Sequence, residues 1–434
     1  MSERPRQMHL GAHFPGVNNT TVWSGPEAGS HIDFASFVHL ARTAERAKFD
    51  FFFLAEGLRM REHAGRLHDL DVAGRPDNMT VLAGLAAVTD RLGLVPTITT
   101  TYHEPYELGR QLASLDHLSG GRAGWNLVTS SDAFTGANFR RGAYLGYEAR
   151  YERGGQFVEA VNRMWDAWPE ATFSFHDTQV QLAGEFTVPR SPQGRPVMIQ
   201  AGDSSEGREF AARYADGIFT RHGTLDEGRR FYADVKGRLP TYGREAWELL
   251  ILPGTTFVLG DTDAEAKELA THIRRQQVSG PHAIMFLEQL WNRDLSEYDP
   301  DGPLPDVDPD VSSPERSQGS AQARSFNRDA IAIARQWRDQ AQDGRLSIRE
   351  LVIEMTGRQS FVGSPATVAD EMTRHVESAA CDGFILVPHL TPGGLDRFAD
   401  EVVPFLQERG IFRADYAGGT LREHFGLAQS PNLH

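Results

Sequence analysis

Phe49-Asp50-Phe51-Phe52-Phe53-Leu54-Ala55-Glu56 is apolar but for Asp50, has the length of a strand, and ends on a carboxylate. A strand exposed on one face alternates apolar and polar residues, whereas a strand apolar on both faces must be covered on both, as in a parallel sheet flanked by helices. Working outward, residues 8–14 read as a preceding strand. Residues 33–48 read as the helix between the two, with Asp33 as its N-cap and Phe34, Phe37, Val38, Ala41 and Ala44 recurring at helical spacing. Downstream the unit repeats. Helices are predicted over 80–90, 105–118, 150–168, 204–214 and 227–236, and strands over 92–100, 123–128, 196–201 and 217–220. A seventh apolar run spans 249–259, broken by Pro253 and Gly254, and an eighth spans 383–388.

Eight strands alternating with helices predict an α/β fold, a closed (β/α)8 TIM barrel, in preference to an open doubly wound sheet. The 434 residues exceed the ~250 of a plain barrel, so one domain over 8–434 with insertions is expected. The polar, alternating stretch near 171–188 suggests an added hairpin. A long insertion near 260–356 carries helices over 264–277 and 328–342. Between them lies a polar segment, 292–327, rich in Asp, Pro and Ser and too poor in apolar surface to order itself; it reads as a solvated loop or a lid over the barrel mouth. Residues 1–7 are expected to form a disordered tail.

Composition narrows the function classes. Lys plus Arg total 44 against 59 Asp plus Glu, a net charge of −15 that repels a phosphate backbone, so nucleic-acid binding is excluded. No run of ~18 apolar residues is present to span a membrane. The single cysteine, Cys381, suits a reducing cytoplasm. Neither HExxH nor paired-cysteine spacing accompanies His9, His13, His63, His68 or His103, so no metal is expected. No G-x-G-x-x-G follows a strand, so no built-in nicotinamide site is expected either.

In such a barrel the active site lies where strands end and helices begin. The rule selects His13, Glu56, the threonines of 97–101, Asn126 to Ser130, Gln200 to Ser205, Arg221 and His389. Gln200-Ala201-Gly202-Asp203-Ser204-Ser205-Glu206-Gly207 is the sharpest of these. Gly202 permits close approach of a ligand, Ser204 and Ser205 can cap the following helix, and a helix N-terminus offers free N–H groups and partial positive charge to a phosphate. Arg208-Glu209 stands where a triphosphate loop needs Lys and Ser or Thr, so a single phosphate fits better. Alternation places Thr97, Thr99 and Thr101 on one face of their strand. Tyr147 and Tyr151 sit one turn apart at the start of a long helix, either packing on the barrel or reaching a phosphate.

Taken together, these stretches resemble the bacterial luciferase-like flavin monooxygenases, in the branch of nitrilotriacetate, dibenzothiophene-sulfone and dimethyl-sulfide monooxygenases. The resemblance runs from about residue 8 to the C-terminus. Its landmarks are Ala44-Glu45-Arg46, Phe53-Leu54-Ala55-Glu56, Glu104-Pro105-Tyr106, Leu115-Asp116-His117-Leu118-Ser119-Gly120-Gly121-Arg122 and Trp125-Asn126-Leu127-Val128-Thr129-Ser130, followed by Arg150-Tyr151, Gln200-Ala201-Gly202 and Thr420-Leu421-Arg422-Glu423-His424. It implies FMN, delivered reduced by a separate NAD(P)H:flavin reductase, with O2 as cosubstrate. A flavin hydroperoxide would then transfer one oxygen atom to a small organic substrate. It also implies a homodimer or homotetramer. Flavin contacts would come from Glu56, Thr97, Thr99, Asn126, Tyr147, Tyr151, Gly202, Ser204 and Ser205. No catalytic side chain is assigned; His13 and His103 are candidates for proton transfer by position. Glu56 replaces the Asp common in the family, Tyr147 stands where relatives often carry His, and Trp23-Ser24-Gly25-Pro26 replaces a Trp-Arg-His-Pro stretch in a substrate loop. The alternatives are a deazaflavin-dependent hydride-transfer enzyme of the same barrel class and a flavin carrier or sensor without catalysis.

Overall fold

A computed structural model of the chain describes residues 6–428 except 17–19, 24, 68–75, 131–132, 140–144, 223, 320–328 and 357–358. Eight parallel strands close a barrel: β1 (His9–His13), β2 (Phe51–Leu54), β3 (Gly93–Thr99), β4 (Gly124–Val128), β5 (Val197–Ala201), β6 (Gly217–Thr220), β7 (Leu250–Thr255) and β8 (Gly383–Leu386). Each pairs with the next, and β8 returns to β1 with Gly383 opposite His9. The intervening helices are α1 (Phe34–Arg46), α2 (Asn78–Ala86), α3 (Pro105–Leu118), α4 (Tyr147–Asp166), α5 (Ser205–Tyr214) and α6 (Leu225–Arg238). Beyond β7 come α7 (Asp263–Gln277), α8 (Gly280–Trp291), α9 (Ala330–Gly344), α10 (Ile348–Thr356) and α11 (Pro365–Glu377).

Strand alternation explains the apolar octet. Phe51 and Phe53 point into the barrel with Val95, Val197, Ile199, Leu250, Leu252 and Ile385, whereas Phe52 and Leu54 pack outward in the cluster that holds Phe37, Leu40 and Ala41 of α1. Gly11 leaves room for this core, because a Cβ there would come within 2.4 Å of the Phe51 ring. The interior is sealed from below by the short helix Leu421–His424 and the residues after it, with Leu421, Phe425 and Leu427 completing the same cluster. Leu421 lies within 2.6 Å of where a Cβ on Gly93, the first residue of β3, would stand.

Polar residues near this lower face hold the frame. Asp50 is fully buried and accepts from His9 Nδ1 at 3.0 Å, from the Leu10 N–H at 2.8 Å and from Arg413. Burial alone would raise its pKa, but the charges of Arg413 and His9 hold it below the usual carboxylate range. The landmark at 115–122 belongs to the same face. Asp116 accepts from the Ala123 N–H (2.9 Å) and Gln193 (2.6 Å), while buried Arg122 donates to the carbonyls of Ser119, Leu92, Ala86 and Thr89 and to the Thr89 hydroxyl. That motif is a structural clamp at the end of the barrel away from the mouth.

Three expectations change. Pro253 and Gly254 do not break the seventh run; β7 passes through both, and Phe257–Leu259 then leaves the barrel to pair with Phe361–Gly363. Gly254 suits the place, since a Cβ would press within 2.7 Å of the Phe219 ring. The chain after β7 is also more helical than expected, α8, α10 and α11 having gone unpredicted. Its helices α8, α9 and α10 share an apolar cluster of their own around Phe286, Trp291, Trp337 and Leu351.

The polar segment after Trp291 is ordered, as far as Gly319, by hydrogen bonds together with a few apolar anchors, Leu295, Tyr298 and Leu304, that pack on the same cluster. The Asn292 amide donates to the carbonyls of Asp310, Ser313 and Pro314 at 3.1–3.2 Å, and Ser317–Gln318 pairs with Glu62–His63 from the loop after β2. Residues 320–328 lie outside the described part. The strands Thr172–His176 and Gln181–Glu185 form an antiparallel hairpin between α4 and β5. Of the N-terminal stretch, 1–5 lie outside the described residues, and Arg6 donates to the Val376 carbonyl at 2.9 Å. No helix among the described residues is long and apolar enough to cross a membrane. Cys381 is buried, which pushes its thiol pKa up.

Candidate active site

The upper ends of the strands enclose a cavity of about 1560 Å³. Its floor is aromatic. The His13 ring stacks on Phe53 at 5.3 Å, and Phe53 stacks on Phe219 at 5.6 Å, each supplied by the last inward position of its strand. Thr97 of β3 and Asn126 of β4, opposite each other in the ladder, form the polar part of the floor. The Asn126 amide donates to Thr97 Oγ1 at 2.9 Å, which leaves Asn126 Oδ1 buried without a partner. A buried acceptor without a donor costs ~1–3 kcal/mol, and one facing a cavity is poised for a ligand donor.

Glu56 lines the same cavity just beyond β2. Burial pushes its pKa up to about 8, against a lowering hydrogen bond from the Thr99 main chain, and the Asp77 carboxylate adds to the rise. Glu56 therefore holds its proton at neutral pH and can donate a hydrogen bond. Arg59, a potential partner by sequence, pairs with Glu62 at 3.4 Å and lies over the Phe134 ring. Thr99 faces inward but is fully buried, its hydroxyl accepting from the Thr101 and Ser130 N–H groups at 3.2 Å.

At the end of β5, Ala201 and Asp203 form part of the cavity wall. Ser204 is the N-cap of α5 and accepts from the Gly207 N–H at 3.1 Å, leaving other first-turn donors without an intrahelical acceptor. The spacing of Gly202 and Gly207 has a packing cause: a Cβ on Gly207 would stand 3.1 Å from the Gly202 backbone, and one on Gly202 would stand 2.6 Å from Gln200 Nε2. Ser205 and Tyr151 line a different recess, of about 560 Å³, between α4 and α5. The Tyr147 side chain lies outside the described part.

The structure therefore brings Glu56, Thr97 and Asn126 to one cavity, with Ser204 and Gly202 beside its wall and Tyr151 and Ser205 behind it. His13 lines the cavity, its Nδ1 2.6 Å from the Phe14 carbonyl. His103 points elsewhere, its Nδ1 2.9 Å from the Thr99 carbonyl, and burial lowers its pKa. His389 is pulled down to about 4 by burial and is neutral at pH 7. Sequence reasoning missed His222, Arg208 and Arg230, all lining the cavity. Arg208 and Arg230 lie inside helices, where an arginine every few residues carries no signal of its own. Among the described residues no group of three His, Cys, Asp or Glu could hold a metal.

Comparison with known proteins agrees with this architecture. Residues 9–382 match the family described as Luciferase-like monooxygenase. N-acetyl-S-(2-succino)cysteine monooxygenase of Bacillus subtilis (strain 168) is 37% identical over 460 aligned positions, covering 100% of both chains. Nitrilotriacetate monooxygenase component A of Aminobacter aminovorans is also 37% identical, covering 98% of each. Among solved structures, EDTA monooxygenase from Chelativorans sp. BNC1 superposes with a TM-score of 0.74 at 29% identity, covering 98% of this chain and 100% of the other. A closed eight-stranded barrel, a polar-and-aromatic mouth and full-length similarity to named oxygenases lead to one assignment: the chain belongs to the luciferase-like monooxygenase family and is an oxidoreductase.

Proposed function

We propose that the chain is the oxygenating component of a two-component system, which takes reduced FMN from a separate NAD(P)H:flavin reductase and places one oxygen atom from O2 into a small organic substrate. The observation that carries the reading is the buried, unpartnered Oδ1 of Asn126 on the cavity floor, an acceptor waiting for a ring N–H. The residues fit FMN in other respects. Thr97 and protonated Glu56 add hydrogen-bonding groups beside Asn126, and the α5 N-terminus capped by Ser204 suits one phosphate. The cavity also exceeds the ~300–1,000 Å³ of a single-ligand site, so a substrate can share it.

Reduced FMN, when bound, supplies the electrons that activate oxygen. The protein's part is to orient the ring through Thr97 and Asn126, to hold a proton on Glu56, and to keep water from the aromatic floor of His13, Phe53 and Phe219. An outside reductase is supported by the name "component A" of the Aminobacter relative. The test is an anaerobic titration of the chain with reduced FMN, followed by oxygen uptake with a substrate panel. Tight binding, and oxygen consumption matched by a product sixteen daltons heavier or cleaved, are expected. Asn126→Ala should weaken reduced-FMN binding about tenfold, the value of one lost buried hydrogen bond. Turnover without oxygen, by hydride transfer from a deazaflavin, would overturn the reading.

A further inference from the structure

We infer that the substrate taken at this mouth is an anion bearing a carboxylate and that Arg230 selects it, an inference that rests on the oxygenase reading above and deepens it. The chain carries a net charge of −15, yet five arginines line its mouth cavity. Arg59, Arg61, Arg208, Arg221 and Arg230 line it, against the carboxyl groups of Glu56, Asp203 and Glu227. Most of these groups are engaged: Arg59 pairs with Glu62 and Arg208 with Asp234, and the carboxyl groups have roles of their own. Glu56 keeps its proton, Asp203 accepts from Thr220 Oγ1 at 2.6 Å, and Glu227 closes the capping box of α6 by accepting from the Thr224 N–H at 3.1 Å.

The arginines divide by place. Arg208 stands on α5, beside the corner assigned to the cofactor phosphate, and is already paired with Asp234 at 2.7 Å. Arg230 stands on α6, one turn beyond Glu227, exposed in the mouth, with no hydrogen-bond or ion-pair partner among the described residues. An unpaired guanidinium in a cleft walled by protein focuses positive potential where a substrate enters, and its planar fork matches a carboxylate. A neutral sulfide or alkane gives such a group nothing to bind.

Calorimetric titration of the full chain, saturated with FMN so that the phosphate corner is filled, tests this with nitrilotriacetate and with its uncharged trimethyl ester. The acid should bind about tenfold or more tightly than the ester, and Arg230→Gln should remove most of that difference while changing FMN affinity by less than about twofold. Arg230→Lys, which keeps the charge, should retain most of the binding and so controls for misfolding. Equal affinity for acid and ester, or an unchanged acid affinity in folded Arg230→Gln, would overturn the inference and leave the flavin reading standing. Should the wild-type chain fail to bind FMN yet bind the acid in an Arg230-dependent way, the flavin reading falls and the anion site remains.

Discussion

Glu56 shows how far one residue can be read from its neighbours in sequence. Its position at the end of an apolar run announced a place at the mouth, but its proton did not, because the rise to about 8 comes from burial by residues distant in the chain. The sign of the resulting pH dependence is fixed. A carboxyl whose folded pKa lies above its unfolded value binds more protons folded than unfolded, so its contribution to stability falls as pH rises from about 4.5 to about 8 and stays low above that. Glu56→Gln should match the wild type in stability near pH 4.5 and exceed it above pH 8 by on the order of 2 kcal/mol, the full shift being discounted for a side chain only partly enclosed. Urea unfolding at the two pH values measures it; equal stability at both would show that Glu56 ionises freely. Asn126 was likewise legible as a strand-end residue, while its orphaned oxygen depends on Thr97 taking up the amide. Arg230 was not legible at all, since its significance lies in having no partner among the described residues.

Elements were more transparent than residues. Strands buried on both faces announce themselves as apolar runs, and β1 to β6 and β8 stood within two or three residues of where they were expected. The seventh was also found, but without the break expected of Pro253 and Gly254, which ordinarily end a strand; here the missing Gly254 side chain accommodates Phe219, a relation only the closed barrel creates. The α5 corner illustrates the reverse case, a motif read for its ligand that also has a packing cause. Gly207→Ala should therefore destabilise the fold by ~1–3 kcal/mol through overpacking against Gly202, and Ser204→Ala by ~1 kcal/mol through loss of the cap. Both should weaken FMN binding. Thermal unfolding with and without FMN separates the two effects; a Gly207→Ala chain as stable as wild type would mean the loop is free to spread. Arg122→Ala, at the opposite end, should cost ~3–5 kcal/mol by stranding buried carbonyls, yet leave FMN affinity per folded molecule unchanged.

For the molecule as a whole, the segment after β7 is the least predictable part, because its helices pack on a cluster of their own around Phe286, Trp291 and Trp337 and the chain between them is held largely by specific polar contacts. One of its ties to the barrel mouth runs through a histidine. His63, in the loop after β2, contacts Glu288 of α8 through Nε2 and Ser317 Oγ through Nδ1 at 2.8 Å. His63→Ala should speed proteolytic cleavage between residues 292 and 319 several-fold while leaving the barrel intact. Unchanged cleavage would show that His63 is not what holds the segment.

The plug formed by Leu421, Phe425 and Leu427 has a consequence for biosynthesis. All eight strands emerge from the ribosome before these side chains do, so a nascent chain holds a ring of phenylalanines and aliphatic groups open to water, and to chaperones, until residues past 420 have been released. A chain cut short before Leu421 would then hold all eight strands around an unstoppered hydrophobic well, fit for degradation and not for catalysis.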